Sequence, residues 1–223
     1  MTRYAMTRNR KKPSLQFKPS RDTEYSTKRL SEGTLSDFEC LFETHPAPGA
    51  YSCWCMYNHR RGSAPEKKGS SRAIQIEGNR REKKALVKQG RSHGILVYAR
   101  GEPVGWCQYG LSQELPRMDN NPKYCKLVSG HEKARWRIAC FLVHKKFRLR
   151  GVARTALKAA LAAIRDQGGG LVEAFPVRRW AAYQKYRGTV SMFEREGFRI
   201  VARLGESNVL MQRTIRSALK DRR

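Results

Sequence analysis

The sequence predicts an α/β chain with one mixed, mostly antiparallel central sheet and helices on both faces. Three observations carry this. The run "HGILVYARGEPVGWCQYG" holds two apolar stretches about a short turn containing Gly101 and Pro103, which is the signal of a hairpin. From Ala134 to Val177 the chain reads strand, helix, strand, and a crossover of that kind makes its two strands parallel. "RIVARL" and "VLMQRTI" then close the chain as two further strands. Helices interspersed among such strands pack on both sides of the sheet they connect.

Taken in order, the first helix follows "SEGTLSDFECLF", where Ser36 is a candidate cap and Phe38, Leu41 and Phe42 share one stripe. "YSCWCMYN" (residues 51–58) is short and aromatic and reads as a strand. "GSAPEKKGSSR" is a loop by composition, and "NRREKKALVKQG" is a cationic helix closed by Gly90. After the hairpin, residues 111–133 form a polar connection. "ARWRIACFLVH" is a third long strand. Val152, Ala156, Leu157, Ala160, Leu161 and Ile164 recur at helical spacing until three glycines end the helix, and "LVEAFPV" is the strand after it. "YRGTVSMFEREGF" is a further helix stopped by Gly197.

A length of 223 residues suits one domain of ordinary size with a tail or insertion. Lys and Arg total 46 against 19 Asp and Glu, a net charge of +27. A surplus this large points to an anionic partner or to diffuse attraction to nucleic acid, unless it resides in basic tails. Residues 1–31 read as a basic disordered arm available for weak nucleic-acid contact, 32–216 as the folded domain, and 217–223 as a basic tail. No run approaches the ~20 apolar residues a bilayer demands, and the N-terminus lacks the apolar stretch of a signal peptide. The expectation is a cytoplasmic protein, away from membranes, with reduced thiols.

Cys40, His45, Cys53, Cys55 and His59 invite a zinc reading, but no Cys-x-x-Cys knuckle is present, and no metal is expected. On a strand, Cys53 and Cys55 would face one side and pack as small apolar groups. Trp54, Trp106 and Trp136 sit in apolar runs and read as core. Cys107 and Cys140 have no sequence-adjacent base to activate them.

The stretch "VHKKFRLRGVARTAL" joins a strand's end to a helix's start. There the first amides of the helix lack internal partners and the dipole leaves partial positive charge. Such a turn can hold phosphate, with Gly151 and Ala153 leaving room and Arg148, Arg150 and Arg154 adding charge. Spacing alone leaves open a basic loop followed by an amphipathic helix.

In this setting, between "ACFLV" and an alanine-rich helix, "RLRGVA" resembles the acetyl-CoA-binding motif of the GNAT superfamily of N-acetyltransferases. That motif is a strand ending in Val, a short loop, Arg or Gln, two residues, Gly, one residue, then Gly or Ala. "EPVGWCQYG" resembles the strand before it, and "MFEREGF" the superfamily's late helix ending in Gly-Phe. More narrowly, "CWCM", "VGWCQ", "W-x-x-x-CF-x-V" and "VEA-aromatic-P" resemble a bacterial group within the superfamily. The likeness covers roughly residues 35–215.

The resemblance implies a GNAT-like acyl-CoA N-acyltransferase fold and acetyl-CoA as cosubstrate. It puts the pyrophosphate on the turn of Arg148, Leu149, Arg150, Gly151, Val152, Ala153 and Arg154, and the pantetheine arm along Phe141, Leu142 and Val143. It implies direct attack by a primary amine, on a small molecule or a protein, with an amide near Val143 donating to the oxyanion. Glu173, set in an apolar strand, is the candidate base; a solvent-facing or Arg-paired Glu is the alternative. Where the superfamily carries an acidic tyrosine, four residues before the Gly of Gly-Phe, this chain has Phe193. Tyr186, Tyr183 and water are the substitutes. The rival reading is a nucleic-acid-binding protein on a transferase-like fold without activity.

Overall fold

The computed structural model describes residues 23–44, 53–62, 71–178 and 186–218. A seven-stranded sheet has the order β1-β2-β3-β4-β5-β7-β6. Its strands are β1 (Ser26–Arg29), β2 (His93–Ala99), β3 (Glu102–Leu111), β4 (Trp136–Val143), β5 (Gly170–Ala174), β6 (Arg199–Arg203) and β7 (Val209–Ile215). Every neighbouring pair is antiparallel except β4 and β5, which are parallel. The β2–β3 hairpin turns on Arg100 and Gly101 alone, at φ 50° and 80°. Left-handed residues at both positions match the twist of the flanking strands.

Alternation along the strands feeds two cores. Ile95, Val97, Cys107 and Ile138 face one side, where Val152, Ala156, Leu157, Ala160, Leu161 and Ile164 of α4 (Val152–Asp166) cover them. Leu96, Tyr98, Trp106 and Leu142 face the other, beneath Phe38, Leu41 and Phe42 of α1 (Leu35–Thr44). The Phe38 ring meets Trp106 edge-on at 4.8 Å, an arrangement the ring quadrupoles favour. Fully burying each such side chain contributes roughly 1.5–3 kcal/mol.

Several expectations change. Ser26–Arg29, within the segment read as a disordered arm, forms the edge strand β1 against β2. Residues 1–22 of that arm lie outside the described residues. The aromatic run at 51–58 is not a strand over its described part. Trp54 and Cys55 carry φ of 48° and 53°, and a 3-10 turn follows at Tyr57–His59. These residues bury themselves by turning inward: Trp54 stacks near Phe42 at 5.9 Å, and Trp106 Nε1 donates to Cys55 Sγ at 3.2 Å. Composition reported the burial and misreported the backbone.

Helix α2 (Arg72–Lys88) starts well before Asn79, capped by Ser71, whose hydroxyl accepts from the Ile74 amide. Its residues are polar nearly all round, with only Lys83 and Val87 buried, so periodicity could not delimit it. The connection at 111–133 folds as a 3-10 turn (Pro116–Asn120) and α3 (Pro122–Val128), with Asn121 as cap and Pro122 at the first helical position. The late helix shortens to α5 (Val190–Glu194). No helix among the described residues is long and apolar enough to cross a membrane.

The start of α4 is pressed onto β3 at Gly105. A Cβ there would lie 2.3 Å from Val152 Cγ1. Gly105→Val is therefore expected to push the helix start off the sheet and destabilise the fold by about 1–3 kcal/mol, read as a lowered midpoint in thermal or urea unfolding.

Candidate active site

Strands β4 and β5 pair only at Trp136↔Val172, Arg137↔Glu173 and Ile138↔Ala174. Beyond Ile138 they part, while β4 continues beside β3 as far as Gly105↔Val143. On the parted edge the Phe141 amide donates to the Tyr186 carbonyl at 2.6 Å, and the Val143 carbonyl accepts a long contact of 3.5 Å from Arg148 Nε. Backbone groups of alternate residues point to the same edge. Phe141 and Val143 thus face the gap, whereas the backbone of Leu142 faces β3. Of the three residues expected along a pantetheine arm, Phe141 and Val143 turn backbone groups to the gap, while the Leu142 side chain sits in the core beneath α1.

At the end of β4 the chain makes a 3-10 turn (Lys145–Phe147) and enters α4. Leu149 and Gly151 carry φ of 59° and 82°, and no side chain caps the helix. Among the described residues, no group accepts from the amides of Leu149, Gly151, Val152, Ala153 or Arg154. The first helical bond is from Thr155 N to Gly151 O. Unsatisfied amides at the positive end of a fifteen-residue helix form an anion site. A Cβ on Gly151 would meet nothing within 4 Å, so the glycine is required by its left-handed φ and leaves open space outside it. Arg154 is already paired with Glu196 at 2.8 Å. Val152 is buried, and the Leu149 side chain is wholly exposed. Of the sequence-predicted cations, Arg148 and Arg150 flank the turn.

One cavity opens beside the gap and a second adjoins the first. The first, of about 320 Å³, is lined by Cys53, Cys55, Asn58, Ala139, Cys140 and Tyr186. The other, of about 470 Å³, is lined by Arg61, Arg117, Asn120, Asn121 and Asn208. Tyr57 and Arg187 line both. Volumes of this size suit small molecules. Cys140 lies one residue before Phe141, so the smaller cavity adjoins the parted edge. Burial raises the Tyr186 phenol pKa and keeps it protonated at neutral pH. Arg61, Arg117 and Arg187 were missed from the sequence because no spacing links them.

Glu173 is fully buried, and its oxygens are occupied. Tyr124 Oη donates to Oε2 at 2.8 Å, Gln212 Nε2 donates to Oε1 at 3.0 Å, and Arg137 Nε stands 3.6 Å from Oε2. Arg137 also donates to Asp119 Oδ1 at 2.6 Å and to Tyr124 Oη at 2.8 Å. Glu173 lines neither cavity. Its placement is that of an Arg-paired structural carboxylate, the alternative to the base role. Phe193 is buried against Phe141, ring centroids 6.0 Å apart, so an apolar ring stands where the usual tyrosine would. Tyr183 lies outside the described residues.

The wall carrying Cys55 and Asn58 is fixed by a polar knot. Lys83, fully buried, donates to Ser92 Oγ at 2.8 Å and lies 3.3 Å from His59 Nε2. His59 Nδ1 is 2.8 Å from the Glu114 carbonyl and so carries the proton, leaving Nε2 to accept from Lys83 and from Gln108 Nε2 at 3.1 Å. Gln108 Nε2 also donates to the Cys55 carbonyl, and its Oε1 accepts from Asn58. Burial, with Lys83 second, drives the His59 pKa down to about 3; burial drives Lys83 down to about 8. Among the described residues, no group of three or more His, Cys, Asp or Glu side chains is placed to hold a metal ion.

The sequence profile of the Acetyltransferase (GNAT) family matches residues 54–198. No curated protein sequence matches the chain. Solved structures of similar fold include an acetyltransferase from Thermus thermophilus, at 16% identity over 85% of this chain and 96% of that one, TM-score 0.47. Another is the PaiA N-acetyltransferase from Thermoplasma acidophilum in complex with coenzyme A, at 11% identity over 86% and 99%, TM-score 0.45. A third is the ribosomal-protein-S18-alanine N-acetyltransferase from Escherichia coli, at 10% identity over 87% and 96%, TM-score 0.43.

Between about pH 8 and the ordinary lysine value of 10.5, the unfolded chain holds the Lys83 proton and the folded chain does not. Stability from this group therefore rises with pH across that window, by on the order of 3 kcal/mol in full. Lys83→Met is expected to lose this rise. Urea unfolding of both proteins at the two ends of the window checks it, and parallel pH profiles would contradict the assignment.

Proposed function

Because the chain belongs to the acetyltransferase (GNAT) family, we propose that it transfers the acetyl group of acetyl-CoA directly to a primary amine. The single observation that supports this most is the set of unpartnered amides at Leu149 and Gly151–Arg154, standing at the end of a strand whose edge is parted from its neighbour. These residues fit acetyl-CoA: a diphosphate meets the amides and the charges of Arg148 and Arg150, and the pantetheine arm pairs with Phe141 and Val143. Acetyl-CoA supplies the activated thioester, which the amine attacks with release of CoA.

The chain's part is positioning and charge. The Phe141 amide is the donor available to the reacting carbonyl oxygen once it exchanges the Tyr186 carbonyl for that group. This moves the expected oxyanion contact two residues before Val143. The Tyr186 hydroxyl, on the smaller cavity beside Cys140, is the proton donor to the departing thiolate. Phe193 leaves that task to it. The acceptor amine enters through the two cavities, which share Tyr57 and Arg187.

Gly151→Glu imposes a side chain on a left-handed backbone and a negative charge on the anion site. It is expected to weaken acetyl-CoA binding at least about 10-fold in calorimetry; equal binding by both proteins would argue against the site. Tyr186→Phe is expected to lower kcat about 100-fold, with acetyl-CoA affinity changed less than about twofold, in a thiol-release assay. An unchanged kcat would remove the phenol from the reaction.

A further inference from the structure

We infer that the acceptor is a small amine carrying an anionic group, a carboxylate or a phosphate; this rests on the transferase reading above. The larger cavity gathers arginines from three separate segments: Arg61 after the 3-10 turn at Tyr57–His59, Arg117 in the turn at Pro116–Asn120, and Arg187 ahead of α5. Among the described residues no carboxylate lines either cavity, and none forms an ion pair with these three. Arg137 close by is the contrast: Asp119 and Glu173 balance it.

Arg117 is held in place. Its guanidinium lies 4.1 Å over the Tyr57 ring and donates to the Arg61 carbonyl at 3.3 Å, and Asn120 Nδ2 donates to the same carbonyl at 2.7 Å. The loop bearing Arg61 is thus tied to the turn bearing Arg117. A cation-selective pocket would present carboxylates here, and this one presents guanidiniums. Arginine forks suit carboxylate and phosphate oxygens.

Arg187 lines both cavities, so an anion held among the arginines leaves the amine end of the molecule to reach the Cys140 cavity beside Phe141. The same field answers the missing base. Positive charge nearby disfavours an ammonium and lowers the amine's pKa, so the nucleophile loses its proton to water without a carboxylate to take it.

The test is CoA release from acetyl-CoA with matched amines: β-alanine against β-alaninamide, phosphoethanolamine against ethanolamine, and spermidine as the polycation. At least one anionic amine is expected to exceed its neutral partner in kcat/KM by about 10-fold or more, the size of one charge-assisted hydrogen bond. The pair with the larger ratio names the group. Arg61→Glu is expected to shrink that ratio at least about 10-fold, with acetyl-CoA affinity by calorimetry changed less than about twofold. If the wild type binds acetyl-CoA yet favours neither anionic amine, or prefers spermidine, or turns over nothing in the panel, the inference is overturned. Failure to bind acetyl-CoA instead overturns the transferase reading and this inference with it.

Discussion

Strands β4 and β5 stay together for three residues and then separate, and the backbone beyond Ile138 is left to find other partners. A buried amide without one costs about 1–3 kcal/mol, so a parted edge is stable only where something stands in. The protein supplies a carbonyl from Tyr186 for Phe141 and a guanidinium for Val143. A thioester arm offers the same kinds of group. The gap also shapes what surrounds it, since one short turn leads from the end of β4 into α4 and the smaller cavity opens between β4 and Tyr186, which follows β5. Continuous pairing of the two strands would remove the edge, the turn's access and the cavity beside Cys140 together.

The fold was legible where residues pattern against a sheet. The hairpin, the crossover from β4 through α4 to β5, and the closing pair follow from alternation and from the apolar stripe of α4. The Arg-x-x-Gly-x-Ala string located the helix N-terminus with its open amides. Elements that answer to local chemistry rather than to periodicity were hidden. Helix α2 buries little beyond Lys83 and Val87 and has no stripe to read. The turn at Trp54 and Cys55 uses aromatic residues in left-handed conformations, which residue type alone disfavours.

The site divides in the same way. The proposed cofactor contacts are main-chain groups of one contiguous segment, so a short string can announce them. The residues proposed to meet the acceptor come from loops far apart in the chain and come together only in the folded protein. Glu173 stayed ambiguous because an acid in an apolar strand signals either a perturbed base or a satisfied ion pair, and its partner Arg137 lies on the neighbouring strand β4. The knot of His59, Lys83, Ser92 and Gln108 was invisible for the same reason. It joins the segment after α1 to α2, to the residue ahead of β2 and to β3, and through the Cys55 carbonyl and Asn58 it holds one cavity wall still.

The two outermost strands have a further effect. An unpaired strand invites a foreign strand to extend the sheet. Here β1 ends in Lys28 and Arg29, and β6 is bracketed by Arg199 and Arg203. Two molecules approaching rim to rim would bring like charges together at either border. Ile200 and Val201, exposed between the arginines of β6, form the apolar stretch most in need of that guard. Lys28 and the arginines of β6 thus set positive charge along both borders, which disfavours such edge-to-edge stacking independently of any substrate, while Arg29 is balanced by Asp166.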